Sequence, residues 1–229
     1  AQASLNFAAD SATAQCEVWV AEGIYRIYDS SANDSLQLRN NVAVLGGFAG
    51  DETFEQERNP KTHRTILDGA SPQGARVYSV VTARGVENAR LDGLLIRHGA
   101  AVGSSGAQSN GGGLYVSENY GGSDVTLHDC IFFGNAAASA GGAVYINGGS
   151  TVTISDCVFA DNLADTTGGA VSVPNNATGH VLITDSIFTR NETQPYSYHY
   201  GGALSATGDG EVELRSCIFT ANQAGAGGG

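Results

Sequence analysis

One short motif occurs four times in the second half of the chain. It reads a small residue, Ile or Val, Phe, two variable residues and Asn, and consecutive copies start 27, 29 and 31 residues apart. The copies occupy residues 130–135, 157–162, 186–191 and 217–222, and a Gly-Gly-Ala step follows the first three. Repetition with a period of 20–50 residues is typical of a solenoid, because a single unit buries its apolar face only against a neighbouring unit.

The pattern within each repeat identifies the type of solenoid. Apolar residues alternate with period two before the Phe-Asn motif, as in 125–127 and 152–154, and again after the Gly-Gly step, as in 144–146. Such alternation predicts half-buried strands, and no stretch between them is long enough for a helix. Three short strands in about 27 residues, with Gly- and Asn-rich corners, predict an all-β fold, a parallel β-helix. The Leu-x-x-Leu-x-Leu pattern of leucine-rich repeats is missing.

Stacking of these turns predicts two internal ladders. Equivalent residues on neighbouring turns lie about 4.8 Å apart, the spacing of strands in any sheet. The Phe positions then form an aromatic stack, and the Asn positions form a row of hydrogen-bonded amides at a corner. The members are Phe132, Phe159, Phe188 and Phe219 for the first ladder and Asn135, Asn162, Asn191 and Asn222 for the second.

The repeat extends upstream in a weaker form. Alignment of residues 91–100 with 127–136 places Ile96 on the Phe ladder and Gly99 on the Asn ladder. Less regular strands are predicted at 18–20, 36–38, 42–45, 65–67 and 78–81. Residues 4–15 carry apolar residues at helical spacing, which predicts a short capping helix over the N-terminal end. We expect one domain over residues 1–229, with the cap and irregular turns in 1–77 and regular turns in 78–229.

These motifs carry a resemblance to a known group. The paired Phe-x-x-Asn and Gly-Gly-Ala motifs resemble those of the polymorphic membrane proteins of chlamydiae and the wider pectin-lyase-like surface proteins of bacteria. Residues 18–25, 45–52 and 66–69 are similar to the first turns of large bacterial β-helix exoproteins. The resemblance implies a right-handed parallel β-helix and an extracellular protein, often adhesive.

Charge and composition exclude several classes of partner. The net charge is −12; residues 1–97 carry −3 of it and residues 98–229 carry −9. Such a surface repels nucleic acid and anionic membranes. The chain has no Met, which fits a mature form without its signal peptide, and no apolar run of about 18 residues, so no membrane insertion is expected within this chain. We therefore predict a secreted or cell-surface protein.

The four cysteines are predicted to be free thiols. Cys130, Cys157 and Cys217 share one position of the repeat, where Ser186 fills the remaining copy. This position is that of a small inward-facing residue. Neighbouring turns bring Cys130 and Cys157 within the separation of a disulfide, but parallel strands in register give poor geometry for closing one.

A column of acids is the candidate metal site. Asp129, Asp156 and Asp185 occupy one corner position, where like charges about 5 Å apart raise a pKa or recruit Ca²⁺. Because they belong to the repeat itself, hydrogen bonding at the corner is the preferred interpretation. Residues 98–229 offer only Arg190 and Arg215 as permanent cations for uronic acid chemistry. We therefore predict no catalytic residue and no cofactor, with Ca²⁺ as the alternative.

A long loop is the candidate binding site. Nine residues separate Asn191 from Gly201, whereas five suffice in the two preceding turns. The loop carries three tyrosines and a histidine, which form either a sugar-stacking platform, a contact with another subunit, or simple packing over the neighbouring turn. These ligand-binding candidates are Tyr196, Tyr198, His199 and Tyr200. Three glycosylation sequons lie at Asn33, Asn176 and Asn191.

The sequence as a whole predicts a secreted, non-catalytic β-helix that acts as a scaffold, an adhesin or a fibre subunit, with a glycan or a surface protein as partner. The alternatives are a polysaccharide lyase or hydrolase that acts on acidic glycans, and a carbohydrate-binding module. The sequence ends with residues 227–229, at the position where earlier turns enter their next strand. We therefore expect either further turns or head-to-tail self-association through the C-terminal end.

Overall fold

The chain forms a parallel β-solenoid. A computed structural model describes residues 16–104, 106–117, 122–175, 177–195 and 199–225. It contains 24 strands in four sheets, and neighbouring strands of a sheet run parallel. The described residues include no α-helix, only two 3₁₀ helices at Glu55–Glu57 and Gly106–Gln108. The all-β prediction is therefore confirmed.

In chain order the strands are β1 (Cys16–Ala21), β2 (Gly23–Arg26), β3 (Leu36–Gln37), β4 (Val42–Phe48), β5 (Thr65–Asp68), β6 (Val81–Arg84), β7 (Ala89–Asp92), β8 (Leu94–Arg97), β9 (Ala100–Ala101), β10 (Leu114–Ser117), β11 (Asp124–His128), β12 (Ile131–Phe133), β13 (Ala136–Ala137), β14 (Val144–Ile146), β15 (Thr151–Ser155), β16 (Val158–Ala160), β17 (Leu163–Ala164), β18 (Val171–Val173), β19 (His180–Thr184), β20 (Ile187–Thr189), β21 (Glu192–Thr193), β22 (Leu204–Ala206), β23 (Glu211–Arg215) and β24 (Ile218–Thr220).

Each regular turn passes through the four sheets in the same order. Sheet 1 contains β1, β4, β7, β11, β15, β19 and β23, and sheet 2 contains β2, β5, β8, β12, β16, β20 and β24. The corner sheet contains β9, β13, β17 and β21, and sheet 3 contains β3, β6, β10, β14, β18 and β22. The sequence-based count of three strands per turn was therefore too low, because the corner sheet adds a fourth strand of only two residues.

The predicted aromatic ladder forms the centre of the core. Phe132 and Phe159 stack with ring centroids 5.1 Å apart, and Phe159 and Phe188 stack at 4.7 Å, as do Phe188 and Phe219. On the turn before Phe132, Ile96 occupies the equivalent position and pairs with Phe132, as expected. Parallel strands in register place identical side chains above one another, so Phe159 and Phe188 are each covered by a ring on both sides.

The predicted amide ladder is also confirmed. Asn135 Nδ2 donates to Asn162 Oδ1 at 3.1 Å, and Asn162 Nδ2 donates to Asn191 Oδ1 at 2.9 Å. The ladder continues from Asn191 to Asn222, and at its other end the backbone N–H of Gly99 donates to Asn135 Oδ1 at 3.0 Å. These bonds satisfy buried backbone groups at the corner after sheet 2.

The Gly-Gly-Ala step is explained by the close approach of neighbouring turns. A Cβ atom on Gly142 would lie 2.3 Å from the carbonyl oxygen of Gly169 and 2.4 Å from that of Leu163. Any side chain at this position would therefore push adjacent turns apart.

The four cysteines are free in the structure, as predicted. Burial raises the pKa of the Cys157 thiol, and the neighbouring Cys130 adds to this effect. The predicted capping helix at residues 4–15 and the final residues 227–229 lie outside the described residues. No helix in the described part of the chain has the length and apolar character that a membrane span requires.

Candidate functional site

A groove of about 160 Å³ lies on the outer face of sheet 2, next to the corner with sheet 1. It combines an apolar floor with two acidic and two basic side chains. The lining residues are Pro60, Lys61, Arg64, Thr65, Gly93, Leu94, Leu95, Asp129, Ile131, Asp156 and Val158. It therefore includes two of the three acids that the sequence singled out.

The floor of the groove is a column of aliphatic side chains on three successive turns. Leu95 pairs with Ile131, and Ile131 pairs with Val158. Each of these residues immediately precedes an inward-facing core residue, so the alternation of a strand directs it outward. All three are partly buried. The result is a flat apolar surface exposed to solvent at the base of a polar groove.

The same column runs along the whole described length of sheet 2. Register pairs connect its members from the first strand to the last: Ile24, Ile66, Leu95, Ile131, Val158, Ile187 and Ile218. Ile24 and Ile218, at its two ends, are 53% and 57% exposed. Ile187 and Ile218, at the C-terminal end of the column, do not line the groove.

The acids form one wall because of the backbone at the corner. Asp129, Asp156 and Asp185 have φ values of 46°, 55° and 49°, and Ser216 continues the column at 52°. Asp tolerates this left-handed conformation better than most residues, so the corner itself explains the repeated aspartate. Asp129 and Asp156 line the groove, whereas Asp185 does not. The preferred interpretation of a structural corner is thus supported, but two of its members also face the groove.

The two acids of the groove lie in different environments. Burial raises the pKa of the Asp129 carboxyl and the negative charge of Asp92 adds to it, while His128, Lys61 and Arg58 oppose the shift. Asp156 is exposed, and its Oδ2 lies 3.5 Å from His128 Nδ1. One carboxyl of the pair is therefore held closer to its protonated form than an isolated aspartate.

The basic wall comes from the loop between β4 and β5. Arg58 anchors this loop: its Nη2 lies 2.7 Å from Oδ1 of the fully buried Asp92, and its Nη1 donates to the carbonyl of Gly46 at 3.1 Å. Arg90 contacts the other oxygen of Asp92. Pro60 then packs on Gly93, where a Cβ atom would lie 2.7 Å from the proline ring. These contacts place Lys61 and Arg64 beside the apolar floor.

Sequence reasoning missed Lys61 and Arg64 because it sought cations only in the regular turns. The structure brings them next to acids that are more than sixty residues away in the chain. A signal was present, since Lys61 is the only lysine of a chain with net charge −12. Neither residue forms an ion pair among the residues that the structure describes.

A second charged cluster lies on β5 and β8, at the far side of sheet 2. Arg97 donates to Asp68 Oδ2 from Nε at 3.0 Å and from Nη2 at 2.7 Å, and His98 Nδ1 lies 3.0 Å from Asp68 Oδ1. Burial opposes ionisation of Asp68. Hydrogen bonds from the backbone N–H of Ala70 and from the side chains of Arg97 and His98 outweigh this effect, so the pKa of Asp68 is lowered. This cluster satisfies a buried carboxylate and therefore stabilises the fold.

Protonation of Asp68 is expected to weaken the fold in acid. A carboxyl whose pKa is lower in the folded state stabilises above its unfolded pKa, near 3.8, and this contribution disappears as the pH falls through the folded value. Asp68→Asn should therefore be less stable than the native protein at pH 7, and the difference should shrink below about pH 4. Urea unfolding of both proteins from pH 7 to pH 3 measures this. A difference that stays constant over the range would contradict the assignment.

The structure describes only some of the remaining candidates from the sequence. Tyr200 is exposed at 47% and His199 is partly buried, while Tyr196 and Tyr198 lie outside the described residues, so the predicted tyrosine platform stays a prediction. Among the sequons, Asn33 is exposed, and Asn176 lies outside the described residues. Asn191 is fully buried and its Nδ2 is engaged in the amide ladder, so it is inaccessible to glycosylation in the folded protein.

In the described ranges, no group of three or more His, Cys, Asp or Glu side chains has an arrangement that would hold a metal ion. The candidates Asp129, Asp156 and Asp185 therefore form no such group. Ca²⁺ binding at this corner has no geometric support from the side chains and stays a prediction.

Comparison with known proteins agrees with this architecture. A family model described as "Right handed beta helix region" matches residues 81–228, which is more than half of the chain. Neither a curated protein nor a solved structure matches the chain. The family match covers the regular turns and confirms the predicted right-handed parallel β-helix.

Proposed function

We propose that this chain, which belongs to the right-handed β-helix family, is a non-catalytic surface protein that binds a polysaccharide in the groove of sheet 2. The observation that carries the proposal is the combination of an aliphatic floor with acidic and basic walls in one groove. Ligand sites in proteins typically pair a mainly apolar lining with a few placed polar groups.

The groove fits the chemistry of a sugar chain that carries acid groups. A sugar ring has a face of C–H groups, which Leu95, Ile131 and Val158 would remove from water. Its hydroxyls donate to carboxylates such as Asp156. Lys61 and Arg64 would hold a carboxylate of the chain by charge and hydrogen bonds. In a protein of net charge −12, two cations in one groove favour an acidic ligand at this place.

The surface location is part of the same proposal. The overall acidity and the exposed sequon at Asn33 are compatible with an extracellular protein. A rigid ladder fold that carries the floor of the groove on one sheet provides a scaffold for its walls.

The second candidate function is hydrolysis of an acidic polysaccharide. The observation that favours it is the raised pKa of Asp129 beside the exposed Asp156 on the next turn. Glycoside hydrolysis typically uses a pair of carboxyls, one of which has a raised pKa and acts as the acid. In that case Asp129 would protonate the leaving oxygen and Asp156 would act on water or on the sugar.

Binding is tested with a matched pair of variants in the aliphatic column. Ile131→Ser removes part of the floor, whereas Ile187→Ser changes the same column outside the groove. We expect Ile131→Ser to weaken polygalacturonate binding about tenfold, corresponding to about 1.4 kcal/mol, and Ile187→Ser to leave it nearly unchanged. Isothermal titration gives both affinities. Equal effects of the two substitutions would contradict a site at the groove.

Catalysis is tested in the same solutions. The native protein is incubated with polygalacturonate, and reducing ends and unsaturated ends are measured over time. The non-catalytic proposal expects neither to accumulate. Production of new ends that Asp129→Asn abolishes, with binding retained, would establish the hydrolase or lyase instead.

A further inference from the structure

A second groove lies on a different face, at the N-terminal end of sheet 3. Its volume is about 690 Å³, and it lies between the segment around β3 and strand β6. The side chains that matter are Asn33, Ser35, Gln37, Arg39, Thr82 and Arg84. Among the residues that the structure describes, no Asp or Glu lines this groove. Apart from the sequon at Asn33, the proposed function uses none of these residues.

The two arginines of this groove lie side by side on adjacent turns. Leu36 pairs with Val81 and Gln37 with Thr82, and the N–H of Leu38 donates to the carbonyl of Thr82 at 2.9 Å. The same register, continued by two residues, places Arg39 at the position next to Arg84. Arg84 therefore brings a positive charge to this groove, which favours an anionic ligand.

Arg84 is held in place by aromatic rings. Its guanidinium carbon lies 5.6 Å from the ring centroid of Tyr115, and Tyr115 stacks on Tyr145 with centroids 5.6 Å apart. A guanidinium over a ring face keeps its N–H groups available for hydrogen bonds in its own plane. Arg84 is exposed and forms no ion pair with any described residue.

Neutral polar groups surround the arginines in a fixed arrangement. Gln108 Nε2 donates to Asn33 Oδ1 at 3.1 Å, and Ser35 Oγ donates to Thr82 Oγ1 at 3.0 Å. Amides and hydroxyls both donate and accept hydrogen bonds, as the hydroxyls of a sugar require. Asp34 is an acidic residue that lines an adjoining depression. Its Oδ2 accepts hydrogen bonds from three backbone N–H groups within 3.0 Å. Its charge is therefore already satisfied.

We infer that the groove on sheet 3 is a second binding site, which takes a sugar residue bearing a carboxylate. The planar guanidinium matches the geometry of a carboxylate through two parallel hydrogen bonds. The amide and hydroxyl groups at its sides would bind the sugar hydroxyls. The inference does not depend on the groove of sheet 2, since the two sites share no residue.

The test uses trigalacturonate as the probe and an uncharged galactose trisaccharide as the comparison. Arg84→Gln removes the charge at similar length, Arg84→Lys keeps the charge without the planar fork, and Arg76→Gln changes an exposed arginine outside both grooves. We expect Arg84→Gln to weaken trigalacturonate binding at this site at least tenfold, Arg84→Lys to weaken it less, and Arg76→Gln to leave it unchanged. Thermal unfolding verifies that each variant is folded.

Stoichiometry separates this site from the groove of sheet 2. If both sites bind, the native protein takes up two trisaccharides, Arg84→Gln loses one and Ile131→Ser loses the other. Uptake of one trisaccharide that Arg84→Gln abolishes supports the sheet 3 site alone. Equal affinity for the uncharged trisaccharide, or full binding by Arg84→Gln, would overturn the inference. Tighter binding of a sulfated trisaccharide than of trigalacturonate would overturn the assignment to a carboxylate.

Discussion

Replacement of Phe159 by alanine is expected to lower the free energy of unfolding by about 3–5 kcal/mol. Phe159 is completely buried in the middle of the aromatic ladder, with Phe132 stacked on one side and Phe188 on the other. Because every ring fills the space between its neighbours, the cavity left by the substitution has rigid walls on both sides and cannot collapse. Urea unfolding followed by circular dichroism measures the loss.

Two controls on the same molecule test the reason for this loss. Phe219→Ala removes the same side chain from the last described ring, which is 40% exposed, so the cost should be clearly smaller. Asp156→Ala removes an exposed corner side chain and should cost less than about 1 kcal/mol. A greater loss of stability for Asp156→Ala than for Phe159→Ala would mean that the assignment of inward-facing and outward-facing residues is wrong.

The ladders were predictable because they depend on local repetition. In a solenoid the register between turns follows from the spacing of equivalent residues, so the positions of Phe132, Phe159 and Phe188 in the repeat already define their contacts. The two-residue strands of the corner sheet were not predictable in this way. A pair such as Ala136–Ala137 is too short to show alternation, and only its pairing with the next turn makes it a strand.

The aliphatic column on sheet 2 was within reach of the sequence but was not recognised. The motif contains Ile or Val directly before Phe, and alternation requires that neighbours of an inward residue point outward. Ile131, Val158 and Ile187 were therefore predictable as a surface stripe. An exposed apolar stripe on a repetitive surface is the kind of feature that indicates a binding face.

The basic walls of both grooves were out of reach. The positions of Lys61 and Arg64 depend on a loop that is fixed by the contact between Arg58 and the buried Asp92. This contact does not belong to the repeat. Arg39 and Arg84 line one groove because an irregular segment pairs with β6 across more than forty residues. Long-range pairing of irregular segments carries no periodic signal, so sequence patterns alone do not place these side chains.

Substitution of Asn162 by alanine is expected to cost about 3 kcal/mol or more. The Asn162 side chain is buried; its Oδ1 accepts from the backbone N–H and from Nδ2 of Asn135, and its Nδ2 donates to the carbonyl of Phe132 at 3.0 Å and to Asn191 Oδ1. Alanine leaves at least two of these groups buried without a partner, and each costs about 1–3 kcal/mol. Urea unfolding of the variant and the native protein gives the difference.

The variant Asn162→Asp tests whether the cost comes from hydrogen bonds or from shape. Aspartate has the same shape and keeps an acceptor for Asn135, but an ionised carboxylate has no proton for the carbonyl of Phe132 or for Asn191 Oδ1. A protonated carboxyl donates to one of these two acceptors and an ionised one to neither, so the pKa is expected to rise above the unfolded value of about 3.9. The deficit is therefore smallest below that pH and grows as the pH rises above it. The alanine variant carries no titrating group and should show a deficit independent of pH. A stability deficit of Asn162→Asp that is as independent of pH between pH 3 and pH 7 as that of Asn162→Ala would show that the amide donor contributes nothing and that packing alone explains the ladder.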